Sequence, residues 1–578
     1  MEPQPQTESD SRSRKSRWNW SSFSMQREEQ LFLVLTLIIG ALVGSTVVAF
    51  ILLTQHFGAR IYAGHQGSPW PRLLIPIAGS LSMGYLLFRF FPDARGSGVP
   101  QTKAALYARE GRISFSTVFG KFFCTSATLA SGIPLGREGP AVQVGAGIAS
   151  VLGRKLGLRP EKVKALIPVG AAAAVAAAFN TPLAAVLFAL EEVVGDLHAP
   201  VLGSVVLASA TSWAVLRLLL GNDPLFKVPD YQLSHPVELL LYAVLGIFGG
   251  LVSAAFGRLL LWLRKKFLEL PLKTRWYQPV AGGLVVGVMG WFVPQLLGVG
   301  YMHVGDALNG DLTLRFMILL LVLKFFAVVV SYSSGNAGGI FGPSLFLGAM
   351  LGGMVGTAAH LILPGYVAKS GPYALVGMGA AFAGIVRAPM TSVVMIFEIT
   401  RDYAVIVPLM ISSLLSLFIS SRLQPKPIYE ELASQDGIHL PGEERRETPG
   451  QMPVEVILLK SPEALDATLS VAQALEQMQL AKLQFLLVKS GRGLEGILAI
   501  ETLRSFAASA PSCSLLEVLP EGDFPHVHRD QTLSQALDRM SAARAEVLPV
   551  VSRANVRELL GVITLRGVLN RYGFNNPE

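Results

Sequence analysis

The chain has 578 residues, 51% of them hydrophobic and only 15% charged, with a mean hydropathy of +0.48; soluble domains carry nearer a quarter charged residues, so this is a polytopic membrane protein. Lysine and arginine outnumber aspartate and glutamate by 48 to 40, a net charge of +8, and with no soluble basic groove that balance suits a membrane surface and excludes a nucleic-acid partner. Only Cys124 and Cys513 occur, one in an apolar run and one in a polar tail, which excludes a disulfide framework.

In chain order, residues 1–30 form a basic N-terminal segment in which Arg12, Arg14, Lys15 and Arg17 precede the first apolar run. The positive-inside rule places that segment in the cytoplasm, and no cleavable signal peptide is visible. The runs Leu31 to Leu53, Leu73 to Phe91, Leu239 to Leu263, Phe316 to Tyr332 and Val405 to Ser421 are mostly long enough to cross about 30 Å of hydrocarbon. Other apolar runs are too short or too rich in glycine, as half-spans and tilted helices buried in protein are.

Two stretches share one pattern. Lys121-Phe-Phe leads to Gly136-Arg-Glu-Gly-Pro140, and 203 residues later Lys324-Phe-Phe leads to Gly339-Ile-Phe-Gly-Pro343. The match continues through Gly145-Ala146 and Gly348-Ala349 to Gly153 and Gly356. Phe91-Pro92, Gly96, Gly98 and Ala105-Leu106 recur as Val293-Pro294, Gly298, Gly300 and Ala307-Leu308, and Val169-Gly170 through Pro182 to Glu191 recurs as Val376-Gly377 through Pro389 to Glu398. One unit is therefore duplicated, about residues 31–220 and 230–423, within a transmembrane domain spanning 31–423. An inverted arrangement of the halves is expected, which requires an odd number of spans in each. Such duplications build transport sites at the repeat interface from discontinuous helices.

In each copy an apolar segment breaks at glycine and restarts at proline, exposing bare N–H groups at a helix start. Helix N-termini attract anions, and buried Lys121 and Lys324 are expected to add positive potential. Glu138 sits inside the first break, where an ionised carboxylate in lipid needs compensating donors. Its repeat mate is Phe341, so the scaffold does not demand the charge. We expect its carboxylate to occupy an anion position when deprotonated and to leave when protonated. Glu191 and Glu192 point in different directions along a helix and cannot converge on one centre. Glu191 has a mate in Glu398, which suggests a polar contact common to both halves; the mate of Glu192 is Ile399, which makes Glu192 the candidate for proton transfer. The histidines show no ligand spacing, so no metal site is expected.

Residues 424–452, rich in Pro, Glu and Gly, are a linker. A soluble α/β module follows over 453–578, itself duplicated at about 453–507 and 514–573. Thr468-Leu-Ser, Ala474-Leu475 and Met478 recur as Thr532-Leu-Ser, Ala536-Leu537 and Met540. Strands are predicted at Phe485 to Val488 and Val547 to Val551, each followed by a second at Gly496-Ile-Leu or Gly561-Val-Ile.

Gly96-Ser-Gly-Val-Pro100, Gly136-Arg-Glu-Gly-Pro140, Gly339-Ile-Phe-Gly-Pro343 and Pro427-Ile-Tyr429 together resemble the CLC family of chloride channels and chloride/proton antiporters, over about residues 30–432, and the tail resembles a pair of CBS domains. The resemblance implies an all-α polytopic membrane fold with discontinuous helices followed by a cytoplasmic α/β CBS pair. It makes Glu138 the external gate and proton carrier, Glu192 the internal proton-transfer glutamate, and Ser97, Ile340, Phe341 and Tyr429 the chloride-binding residues, the middle two through backbone N–H. The glutamate at 192 favours exchange of chloride or a similar small anion for protons; the alternatives are a passive proton-gated chloride channel and, more remotely, a nucleotide sensor acting through the CBS pair. It further implies a homodimer, with apolar contact surface from Pro182 to Leu220 and Pro389 to Ser421, in a bacterial inner-membrane type of cell membrane with both termini cytoplasmic. No enzymatic activity and no cofactor are expected. Where CBS domains often place Thr-x-x-Asp for a ribose, this chain has Ala499 to Thr502 and Thr564 to Gly567, which argues against an adenine nucleotide.

Overall fold

The computed structural model describes residues 20–572 apart from 64–67, 198, 222–225, 227–234, 366, 368–369, 439, 441–451, 461–462, 482–483 and 521–523. The basic cluster from Arg12 to Arg17 and much of the expected linker lie outside the described residues. The chain divides into two compact units, Met1–Leu440 and Pro441–Glu578.

The first unit is helical. Its first half runs α1 (Trp20–Ala63), α2 (Trp70–Arg89), α3 (Val99–Ala108), α4 (Phe115–Ala130), α5 (Glu138–Lys155), α6 (Pro160–Phe179), α7 (Pro182–Phe188, continued by a π-helical turn over Ala189–Val194) and α8 (Leu202–Leu220). The second half runs α9 (Glu238–Glu269), α10 (Pro279–Phe292), α11 (Tyr301–Asn309), α12 (Leu314–Ser333), α13 (Phe341–Ile362), α14 (Gly371–Val386), α15 (Pro389–Thr400) and α16 (Ile406–Leu423), and α17 (Ile428–Gln435) closes the unit. Among the described residues, eight helices are long and apolar enough to cross a membrane.

The two halves pack alike. Helix α1 lies against α6 and α8 as α9 lies against α14 and α16, and α5 pairs with α6 as α13 pairs with α14. Glycine permits the last pairing: a Cβ on Gly145 or Gly170 would collide with the other's carbonyl, and their repeat mates Gly348 and Gly377 are related in the same way. Small residues at helix crossings are how backbones approach closely inside a membrane protein.

The halves are joined by reciprocal contacts. Glu191, at the end of α7, accepts hydrogen bonds from the N–H groups of Met390 (3.1 Å) and Thr391 (2.8 Å) at the start of α15. Glu398, near the end of α15, accepts from Leu183 (2.9 Å) and Ala184 (2.7 Å) at the start of α7. Each carboxylate thus satisfies the orphan donors of the other helix's first turn. Because ends cap starts, α7 and α15 run antiparallel, and so the repeat is inverted. Gly136 and Gly339 meet in the same antiparallel sense.

The second unit holds two similar α/β motifs. In the first, α18 (Val471–Leu480) leads through β2 (Phe485–Ser490) and β3 (Gly493–Ala499) to α19 (Ile500–Ser509), with β1 (Leu465–Asp466) parallel to β2. A short α20 (Leu515–Val518) separates it from the second, in which α21 (Leu533–Ala543) leads through β4 (Val547–Val551) and β5 (Leu559–Thr564) to α22 (Leu565–Arg571). Both α18 and α21 open with a capping box, Ser470 with Gln473 and Thr532 with Gln535. Ser470 is therefore the counterpart of Thr532, and matching the two Thr-Leu-Ser triplets puts the helix starts two residues out of register. Thr564 serves as the N-cap of α22, its hydroxyl accepting the Gly567 N–H at 3.0 Å.

Candidate functional site

The site forms where the two broken segments meet. Gly136 N–H donates to Gly339 O and Gly339 N–H donates to Gly136 O, both at 2.7 Å, so the two chain breaks are bonded to each other and the helices restart on either side, α5 at Glu138 and α13 at Phe341. Ile340 is the N-cap of α13 and Phe341 its first residue, positions whose N–H groups have no carbonyl in a preceding turn to bond.

Glu138 is fully buried at the first position of α5. Its carboxylate reaches across to the other half: Gly342 N–H donates to Oε2 at 3.2 Å, and the Tyr301 hydroxyl donates to Oε1. The neighbouring Arg137 stands at 3.8 Å, Nε to Oε1, and that Nε has no hydrogen-bond partner among the described residues. The carboxylate is held by the terminus of α13 and a phenol, not by a direct bond to its sequence neighbour.

Ser97 lies in the loop between α2 and α3 and packs on the α5 start, where a Cβ on Gly139 would come 2.8 Å from Ser97 Oγ. Tyr429, in α17, is buried beside it, and the two hydroxyls are close enough to interact although neither is in hydrogen-bonding geometry with any described residue. Tyr429 also lies within electrostatic reach of both Glu138 and Glu192. The Phe341 ring packs among Phe179, Phe188 and Phe382, with centroids 4.8, 5.4 and 4.4 Å away. Ser97, Ile340, Phe341 and Tyr429 are thus gathered at the heads of α5 and α13, beside the Glu138 carboxylate.

Glu192 is 5% exposed and forms a buried ion pair with Lys103 of α3, Nζ to Oε1, at 2.9 Å. Glu430, next to Tyr429, lies 3.9 Å from the same Nζ. The π-helical turn gives Glu191 and Glu192 separate destinations: one caps α15 and the other faces α3. A lysine and two carboxylates thus meet at one place, Glu192 from the π-helical turn and Glu430 from beside Tyr429.

The repeated lysines also tie down loops. Lys121 Nζ donates to Ala94 O at 3.0 Å and Gly96 O at 2.5 Å, and Lys324 Nζ to Leu296 O at 3.1 Å and Gly298 O at 2.6 Å. Both are fully buried, and both amino groups donate to backbone carbonyls of the loops that precede α3 and α11. Lys121 in this way holds the loop that carries Ser97. Three residues of the site escaped the sequence reading: Tyr301, Lys103 and Glu430. Tyr301 had a signal, since its repeat mate is Val99 and a hydroxyl appears where the scaffold requires none.

A family model described as "Voltage gated chloride channel" matches residues 79–421, and one described as "CBS domain" matches residues 517–573. A protein named "H(+)/Cl(-) exchange transporter ClcA" from Vibrio vulnificus is 31% identical over 405 residues, covering 68% of this chain and 87% of that protein. One of the same name from Salmonella arizonae is 32% identical over 416 residues, covering 70% and 88%. Among solved structures, a slow cyanobacterial Cl-/H+ antiporter superposes with a TM-score of 0.65 at 27% identity, covering 70% of this chain and 97% of that one. A eukaryotic CLC transporter shares the fold over 93% of this chain and 97% of its own, with a TM-score of 0.62 and 20% identity.

Proposed function

The chain belongs to the voltage gated chloride channel family, and from that premise we propose that it is a secondary active transporter exchanging chloride, or a similar small anion, for protons across the membrane. The exchangers among its relatives and the antiporter among the solved structures support coupled transport. The observation that carries the mechanism is the Glu138 carboxylate seated at the head of α13, bonded by Gly342 N–H and the Tyr301 hydroxyl. A carboxylate and a halide compete for such donors.

In the proposed cycle an incoming anion displaces the Glu138 carboxylate, which leaves the seat and takes a proton. The N–H groups of Ile340 and Phe341 and the hydroxyls of Ser97 and Tyr429 hold the anion. These neutral donors bind chloride without trapping it. Glu192, set against Lys103, is the internal proton acceptor, and proton transfer between it and Glu138 ties the two fluxes together. The two gradients supply the driving force, and no cofactor takes part.

The finer assignments follow the same reading. Leu183 of α7 and its repeat mate Met390 of α15 are 59% and 53% exposed, and with the outer faces of α8 and α16 they offer the apolar surface of a homodimer. The protein resides in a cell membrane of the bacterial inner-membrane type, with both termini cytoplasmic. The test is the zero-current voltage of chloride-loaded liposomes under an imposed proton gradient. Coupled exchange makes that voltage depend on the gradient; a voltage that ignores it means a passive channel.

A further inference from the structure

We propose that Tyr301 is a second working part of the gate, a phenol latch that holds the Glu138 carboxylate in the anion seat. The proposal rests on the reading of Glu138 as the gate. Each carboxylate oxygen has one donor: Oε2 takes the Gly342 N–H at 3.2 Å and Oε1 takes the Tyr301 hydroxyl. A Cβ on Gly342 would stand 2.9 Å from the Tyr301 oxygen, so phenol, carboxylate and helix terminus meet at one point.

The ring is fixed there. Tyr301 is the first residue of α11, following Gly300 at φ +87°, a left-handed turn that suits glycine. The Arg137 guanidinium lies over the ring face, 5.6 Å from the centroid, and buried Phe226 meets the ring edge-on with centroids 5.6 Å apart. Both partners of the latch depart from the internal symmetry: the mate of Glu138 is Phe341 and the mate of Tyr301 is Val99. The duplicated scaffold is bonded at the same place in both halves, yet two positions at which the halves differ in kind contact each other. That pairing points to function rather than to scaffold.

The latch acts on the competition for the seat. A phenol O–H bonds a carboxylate strongly and a protonated carboxyl group weakly, so it favours the closed, charged gate over bound chloride. Among the described residues, the charged and titratable groups facing Glu138 are Arg137, Tyr301 and Tyr429, and of these Tyr301 alone gives its carboxylate a side-chain hydrogen bond.

The experiment measures chloride affinity by calorimetry and the pH profile of chloride flux in liposomes for full-length wild type, Tyr301→Phe, Glu138→Ala and the double variant. Tyr301→Phe keeps every ring contact and should bind chloride roughly tenfold more tightly, the worth of one charge-assisted hydrogen bond. The pH of half-maximal flux should rise by about one unit. In the Glu138→Ala background the same change should do neither. Wild-type affinity and profile in Tyr301→Phe, with chloride tightened in Glu138→Ala, would overturn the latch and leave the gate standing; no effect of Glu138→Ala would overturn the gate and the latch with it. Should Tyr301→Phe fail to fold, a fluorinated tyrosine at 301, a stronger donor, must shift chloride affinity the opposite way, and an unchanged affinity counts against the latch.

Discussion

Gly136 and Gly339 exchange two backbone hydrogen bonds of 2.7 Å each, so the breaks in the two halves of the membrane unit are one structure. The Glu138 carboxylate belongs to the first residue of one helix of this pair and is bonded at the head of the other.

That junction has no room for side chains. A Cβ on Gly136 would come 2.5 Å from Glu138 Oε2 and 2.9 Å from Gly342 N, and one on Gly339 would come 3.2 Å from Gly139 N. Gly136→Ala should lower stability by about 1–3 kcal/mol, the range of overpacking, and should also raise chloride affinity by crowding the carboxylate out of its seat. Thermal melting in detergent and chloride calorimetry check both.

Glu191 and Glu398 cap each other's helices, and neither faces the anion seat. Glu191→Gln and Glu398→Gln should each cost about 1–2 kcal/mol of stability through the lost charge at a helix start. The ratio of chloride to proton flux should stay at the wild-type value. A changed ratio in either variant would place that residue in the proton path.

Breaking the Lys103–Glu192 pair should be costly in one direction only. Lys103→Met leaves a buried carboxylate without its partner and should cost about 3–5 kcal/mol, most of it recovered in the double variant with Glu192→Gln. Alone, Glu192→Gln should stop proton movement and spare anion flux. Equal loss of both fluxes would refute its role as the internal acceptor.

The two repeated lysines make the same bonds to different loops: the Lys121 loop carries the proposed chloride ligand Ser97, whereas the Lys324 loop has Val299 in that place and leads to Tyr301, whose hydroxyl bonds the Glu138 carboxylate instead. Lys121→Met should therefore weaken chloride binding severalfold more than Lys324→Met, at similar losses of melting temperature. Calorimetry on the two variants decides it.

Much of this was legible in the sequence because broken membrane helices need glycine and proline at fixed places, and a duplication writes those places twice. Comparing the copies then separated the carboxylates: Glu191 has a mate and proved to be a reciprocal cap, whereas Glu138 has none and its carboxylate is bonded at the head of α13. The same comparison misled where a short triplet recurred by coincidence, in the slip between Thr468 and Ser470, because only the cap geometry fixes the helix start. Lys103 and Glu192 are 89 residues apart, and Tyr301 and Glu138 163 apart; no periodicity links such pairs, which only the packing of α3 against the π-helical turn and of α11 against α13, whose head adjoins the α5 start, brings together. The lysines were read by their charge alone, and their carbonyl partners depend on loop paths that composition does not encode.

In the proposed cycle the Glu138 carboxylate couples the two fluxes by alternating with chloride at the head of α13. Simultaneous recording of chloride and proton flux from purified protein in liposomes, wild type beside Glu138→Gln, tests it most directly. Protons driven uphill by a chloride gradient in the wild type, with chloride flux but no proton movement in the variant, is the predicted result. Proton movement that persists in Glu138→Gln, or chloride flux in the wild type with no protons moved, would contradict it.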